Sequence, residues 1–225
     1  PEHYPECQQQ TRLAAAAELC RSGKIAADVG CDHAQLACRL AMDKSALVIA
    51  SDVCDGPLEA ARRTVSECGV TNVRIVKSDG LAEIDFVDDV IICGMGGELI
   101  AQIISSCRFL STDTRFILQP MTRAEFLRRW LYNNGFELLE ERIAYDGERG
   151  YTVMLAAYTG VSQEIDGLFS LTGKITDCNF LRKIAEKLSK NADGMEKSHR
   201  SAEHAKVLRE MSRKILDRAS NCELS

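Results

Sequence analysis

The chain has 225 residues, 45% of them hydrophobic and 27% charged, a globular composition that fits one domain of ordinary size plus an appendage. Its longest apolar stretches, such as residues 153–158, fall far short of the roughly 18 residues of a transmembrane helix, and residues 1–10 lack the basic-then-apolar pattern of a secretory signal. The net charge of -5 argues mildly against nucleic acid as a partner, but it is unevenly spread: residues 1–160 carry 16 Lys plus Arg against 23 Asp plus Glu, and residues 161–225 carry 12 against 10.

In chain order, apolar runs at 24–29 and 46–53 read as strands, with helices over 35–42 and 57–68. Strands at 72–77, 87–93 and 114–119 follow, with helices over 98–107 and 124–133. Strands alternating with helices of about ten residues mean parallel βαβ units covered on both faces. Pro57 suits a first helical turn and Gly135 a helix end. Two further strands, 136–143 and 151–158, are joined by the turn-rich Asp146-Gly147-Glu148-Arg149-Gly150 and form a closing antiparallel hairpin.

Beyond residue 160 a linker-like stretch leads into two helical patterns. Leu181, Ile184 and Leu188, then Leu208, Met211, Ile215 and Ala219, recur at three and four, and a break is expected over 191–199 at Gly194. An antiparallel, coiled-coil-like helical hairpin is expected, as a dimerisation arm or a pair packed on the sheet domain. The division expected is therefore 1–160 and 161–225.

The ten cysteines contain no C-x-x-C pair and no Cys/His spacing suited to zinc. They read as small buried hydrophobes in a reducing compartment, so no metal and a cytoplasmic location are expected.

An α/β Rossmann-like sheet of seven strands closed by a hairpin resembles the class I S-adenosyl-L-methionine (SAM) methyltransferases more than the plain dinucleotide-binding fold. The first strand ends Ala27-Asp28-Val29-Gly30-Cys31-Asp32-His33-Ala34. Only Gly30 stands where G-x-G-x-x-G binders have their glycines, which disfavours a pyrophosphate. Asp32 and His33 put a carboxylate and an imidazole beside that turn, suited to the ammonium and sulfonium of SAM, or else to a helix N-cap and a local hydrogen bond. Asp52, with Val53 beside it, ends the second strand 22 residues after Gly30, where a carboxylate can accept both ribose hydroxyls. Asp79-Gly80 after the third strand either meets the adenine amino group or makes a turn. Gly94-Met95-Gly96-Gly97 after the fourth leaves bare backbone for a ligand or for tight helix packing.

These motifs, with Asp55-Gly56-Pro57, Asp79-Gly80-Leu81 and Leu118-Gln119-Pro120, resemble the bacterial tRNA (adenine-22-N1)-methyltransferases (TrmK) over residues 11–160, with a two-helix tail following. The family pattern has Ser where Cys31 stands, Glu where Asp52 stands and Asn where Met121 stands. The resemblance implies methyl transfer from SAM to N1 of an adenine in tRNA, with SAM in the sheet domain and the tRNA held partly by the helical hairpin of residues 161–225. It implies cofactor contacts from Asp28, Gly30, Cys31, Asp32, Asp52, Val53, Asp79, Gly80, Gly94, Met95 and Gly96. Asp32 and His33 are expected to act on the adenine amino group, and Arg12, Gly97, Gln119, Pro120 and Arg123 to contact the substrate. Arg128 and Arg129 are further basic residues that either meet phosphate or simply face water. A SAM methyltransferase of a small molecule or protein, and a SAM-binding module without turnover, are the alternative readings.

Overall fold

The computed structural model describes residues 11–197 and 202–222. Its sheet has seven strands: β1 (Ile25–Val29), β2 (Leu47–Asp52), β3 (Val73–Lys77), β4 (Asp89–Gly96), β5 (Arg115–Thr122), β6 (Phe136–Asp146) and β7 (Arg149–Tyr158). They lie in the order β3-β2-β1-β4-β5-β7-β6. The first five are parallel, and β7 pairs antiparallel with both β5 and β6. The direction of winding reverses between β1 and β4, and the crevice at the carboxyl ends of such a pair is where open α/β sheets take ligands.

Alternate side chains of each strand enter opposite cores. Ala27, Val29, Val90, Ile92, Phe116 and Leu118 face α4 (Gly97–Ser105) and α5 (Ala124–Asn133). Ala26, Val48, Ala50, Ile91, Ile117 and Val153 face α1 (Thr11–Leu19) and α2 (Gln35–Asp43). Burial on both faces is why these strands are almost wholly apolar. The helix after β2 is α3 (Asp55–Cys68), with Pro57 in its first turn. Gly135, at φ +79°, ends α5 with its N–H on the Tyr132 carbonyl.

Several expected boundaries shift. β4 and β5 continue past Cys93 and Gln119 as a pair, through two register irregularities that seat Met95 opposite Pro120 and Gly96 opposite Thr122. Bulging of this kind accommodates proline in a strand. The hairpin tightens to a two-residue turn, because β6 and β7 run on to pair Asp146 with Arg149. The cysteine expectation holds for buried Cys20, Cys31 and Cys38 but not for Cys54, which is exposed at the extended residue before α3. Cys7 lies outside the described residues.

The linker-like stretch contains a short helix, α6 (Gly167–Thr172), followed by α7 (Cys178–Lys197) and α8 (Ala202–Cys222). The expected break does not fall at Gly194, which lies inside α7 on an open face where its missing side chain removes no packing. The junction at 198–201 lies outside the described residues. Leu181, Leu188, Ile215 and Ala219 share a core with partly buried Ile184, Leu208 and Met211. Arg209 pairs with Asp193 and Glu196 at 2.9 and 2.7 Å, and Ser212 Oγ donates to the Ala185 carbonyl at 2.8 Å, which fixes the two helices antiparallel.

The tail also packs on the sheet. Tyr145 donates to Asp177 at 2.9 Å, and Phe180 lies against Gly150 in the β6–β7 hairpin. Deeper, Arg128 of α5 pairs with Glu141 of β6 at 2.9 Å and donates to the Ser170 and Leu171 carbonyls at 2.8 and 3.1 Å. Glu141 also accepts from Thr152 Oγ1 and the Lys174 N–H. Their side chains are 2% and 0% exposed, so Arg128 is a buried bolt between sheet and tail and does not reach outward to a phosphate.

Candidate active site

The carboxyl ends of β1, β2 and β4 meet at the reversal point. The most unusual group there is Asp28, 4% exposed in the central strand. Its Oδ2 has no hydrogen-bond partner among the described residues. Burial pushes the carboxyl up to about 7; the Ala37 N–H opposes the shift and the Asp52 charge adds to it. Burial without a countercharge disfavours the carboxylate, and a cationic ligand reverses that preference.

Two residues further on, the chain turns sharply. Gly30, Asp32 and Ala34 take φ values of +73°, +47° and +53°, a dense run of left-handed backbone of the kind that clusters at ligand sites. The Gly30 and Cys31 N–H groups both donate to the Ser51 carbonyl, at 2.8 and 2.9 Å, which ties the turn to the end of β2. A Cβ at Gly30 would meet only the movable methyl end of Met95, so the +73° φ is what calls for glycine here. Burial, with the Asp28 and Asp52 charges adding to it, pushes the Cys31 thiol up to about 12. It is a small wall residue and no nucleophile at neutral pH.

Asp32 and His33 sit on the outer rim, 74% and 60% exposed, with His33 Nε2 3.6 Å from Asp32 Oδ1. Asp32 does not cap α2, whose N-cap position is Ala34. Asp52 Oδ1 accepts the Cys54 N–H at 3.0 Å, while Val53 is exposed. Lys77 at the end of β3 engages Asp55 at 2.8 Å. Asp79 is exposed beside the turn at Gly80, which Ser78 fixes by donating to the Gly80 carbonyl at 2.9 Å.

The glycines after β4 divide by role. Gly94, at φ +79°, has open space where a side chain would be. Gly96 faces Thr122 Oγ1, and a Cβ at Gly97 would stand 2.5 Å from the Arg123 carbonyl oxygen. Gly97 is therefore required by packing between α4 and the end of β5, and only Gly94 answers the expectation of bare backbone open to a ligand.

The expected substrate residues are also sorted by their contacts. Gln119 is fully buried: its Oε1 accepts from the Gly94 N–H at 3.1 Å and from Arg12 at 3.2 Å, and its amide donates to the Pro120 carbonyl at 3.1 Å. Arg12 also donates to Met121 Sδ, the residue standing where the family pattern has Asn. Arg123 is engaged by Glu98 and Glu125 at 3.0 and 3.2 Å. Arg129 is exposed on α5.

Two features escaped sequence reasoning. Ser51, whose carbonyl holds the Gly30 turn, also has a buried hydroxyl without a partner among the described residues; the signal was a polar residue inside the apolar end of β2. Arg149 and Tyr151 lie beside Arg12, which only the packing of α1 on β7 reveals.

Four carboxylates, at positions 28, 32, 52 and 79, thus approach the crevice from three strand ends, and the described cations nearby are engaged elsewhere or stand on the β5–β7 side. That set suits a cationic ligand with hydroxyl and amino groups, and SAM fits it. Among the described residues there is no His/Cys/Asp/Glu grouping able to hold a metal and no helix long and apolar enough to cross a membrane. Comparison with known proteins agrees with the geometry. The family profile described as "Methyltransferase domain" matches residues 9–154. The tRNA (adenine(22)-N(1))-methyltransferase of Bacillus subtilis is 32% identical over 221 residues, 96% of this chain and 90% of that one. Its solved structural counterpart, the B. subtilis m1A22 tRNA methyltransferase TrmK, superposes with a TM-score of 0.71 at 26% identity, covering 94% of this chain and 97% of that one. Sp1610 of Streptococcus pneumoniae, solved in complex with S-adenosyl-L-methionine, gives 0.75 at 27% identity, covering 91% and 98%. With a fold, a cofactor crevice and a near full-length relative in agreement, the chain belongs to the tRNA (adenine(22)-N(1))-methyltransferase family.

Proposed function

We propose that this protein transfers the methyl group of SAM to N1 of adenine 22 in tRNA. The observation that carries the reading is the pairing of a buried carboxyl, Asp28, whose Oδ2 has no partner among the described residues, with the open backbone at Gly94 on the two strands flanking the reversal point. SAM, when bound, supplies an electrophilic methyl group on a sulfonium centre. Asp28 offers it a negative charge in a low-dielectric wall, and Asp52 offers its ribose hydroxyls the carboxylate oxygen left over from the Cys54 N–H. Asp79 stands at the β3 end for the adenine amino group. Gly30, Cys31, Val53, Gly80, Gly94, Met95 and Gly96 complete the lining.

The acceptor needs little activation. Neutral adenine N1 already carries a lone pair, so the protein's task is to hold the base in line with the methyl group. The base must leave its stack to arrive there, and Gly94 provides the uncluttered backbone beside it. Asp32, with His33 adjacent, is placed on the rim to accept a hydrogen bond from the 6-amino group or to take a proton from it as the ring becomes cationic. Arg12, which has no carboxylate partner among the described residues, offers its charge to phosphate; Gln119 holds it from behind and is itself anchored on the Pro120 carbonyl, while Arg123 and Gly97 serve the neighbouring packing.

Residues 161–225 are read as the arm that holds tRNA, in a cytoplasmic enzyme. Lys183, Lys187, Lys190, Lys206, Arg209, Arg213 and Lys214 all lie on the exposed faces of α7 and α8, which supports that reading. The test is direct: incubation with methyl-labelled SAM and unmodified bulk tRNA, followed by nucleoside analysis, is expected to yield labelled 1-methyladenosine. Label in protein or small molecules alone would replace this reading with another methyltransferase activity.

A further inference from the structure

The sheet domain is acidic, yet one end of its β5–β7 seam is not. The Arg12 guanidinium lies 4.8 Å from the centroid of the Tyr151 ring, and the Arg149 guanidinium lies 5.3 Å from the same centroid. The two cations stand no farther apart than those distances laid end to end. Among the described residues neither has a carboxylate partner. Arg21, Arg123, Arg128 and Arg142 in the same domain each engage one. Two like charges without a counterion beside one ring raise the local positive potential, and an anion bound near them lowers it.

The location gives the anion an identity. Arg12 shares a single acceptor, Gln119 Oε1, with the Gly94 N–H, so the pair of guanidiniums begins one side chain away from the glycine proposed to admit the target base. Tyr151 is largely buried and held in β7, whereas Arg149 is exposed at the first position of β7, beside the two-residue turn from β6. Its backbone is fixed by that turn and its side chain rests on the ring, so little freedom is lost when it meets a ligand.

We propose that Arg149, supported on the Tyr151 ring and standing beside Arg12, binds a phosphodiester of the RNA next to the adenine being methylated. The inference rests on the tRNA methylation reading above and adds to it two residues and the group they recognise. A backbone phosphate carries no sequence information, so this contact positions the substrate without choosing among tRNAs.

The test uses the full chain. Arg149→Gln removes the charge at an exposed position, and thermal melting confirms that the variant folds. Its affinity for unmodified tRNA is expected to fall about 5- to 20-fold at low salt. The slope of log affinity against log salt is expected to decrease by roughly 0.7 to 0.9, the release of one counterion. SAM affinity measured by calorimetry stays as in the wild type, Arg149→Lys recovers most of the tRNA affinity, and Tyr151→Leu weakens tRNA in the same direction as Arg149→Gln. Wild-type methylation of tRNA together with an unchanged affinity and salt slope in Arg149→Gln would overturn this inference alone. A wild-type chain that neither binds nor methylates tRNA would overturn the underlying reading and this inference with it.

Discussion

Replacing Asp28 with Asn is expected to move stability and cofactor affinity in opposite directions. In the unfolded chain an aspartate titrates near 3.8, whereas in the folded protein burial raises this carboxyl to about 7. Between those values the folded state binds more protons than the unfolded one, so this group makes stability fall as pH rises from about 4 to about 7, with no further change above. Each unit is worth about 1.4 kcal/mol, which sets an upper bound of about 4 kcal/mol and a working expectation of roughly 2 to 4 kcal/mol at pH 8 after relaxation around the site. Asp28→Asn removes that cost. Its melting temperature without cofactor should exceed the wild type's by roughly 5 to 15 °C at pH 8, with the difference shrinking towards pH 4. SAM affinity at pH 8 should fall about 10- to 100-fold, the loss of one charge-assisted contact. Melting curves across pH, with calorimetry of SAM binding, check both halves. A variant that is less stable than the wild type at pH 8, or that binds SAM as well, would refute the assignment of Asp28 as a strained charge kept for the cofactor.

Asp52→Ala is expected to weaken SAM by about 10- to 100-fold in calorimetry, since one or two hydrogen bonds to a charged oxygen are lost; unchanged binding removes Asp52 from the ribose site. Asp32→Asn should leave the fold and most of the SAM affinity intact while lowering the turnover of tRNA, and equal losses in both would assign Asp32 to the cofactor. Arg128→Met should cost about 3 to 5 kcal/mol in urea titration, because Glu141 stays buried without its countercharge; adding Glu141→Gln should restore part of this by keeping an acceptor for Thr152 and Lys174. Charge reversal at Lys187, Lys190 and Arg213 should weaken tRNA and flatten its salt dependence while leaving SAM binding unchanged. Intact tRNA affinity in that variant would move the RNA surface away from the tail.

What sequence reasoning reached and missed follows from the range of the forces involved. Parallel strands buried on both faces announce themselves as apolar runs, and the acids and glycines at their ends stand out because nothing apolar explains them. The positions of Asp52 and Gly94 were legible in this way, whereas Asp28 entered only with the family resemblance. The Arg128–Glu141 bolt was not, because it joins α5, β6 and α6 across the chain, and an arginine on an amphipathic helix looks the same whether it meets water or a buried carboxylate. Gly97 and Gly194 show the same ambiguity for glycine: one is demanded by the Arg123 carbonyl and the other is simply tolerated on an exposed helix face. The Arg12, Tyr151 and Arg149 group needed the packing of α1 on β7, which no local pattern encodes.

The proposed reaction is transfer of a methyl group to one adenine. Two tRNA transcripts that differ only in carrying A or G at position 22, each incubated with the protein and methyl-labelled SAM and then mapped by mass spectrometry, isolate that adenine. One methyl group per molecule, as 1-methyladenosine at position 22, is expected in the first transcript and none in the second; equal labelling of both, or label at another nucleotide, would show that the protein does not act on this adenine.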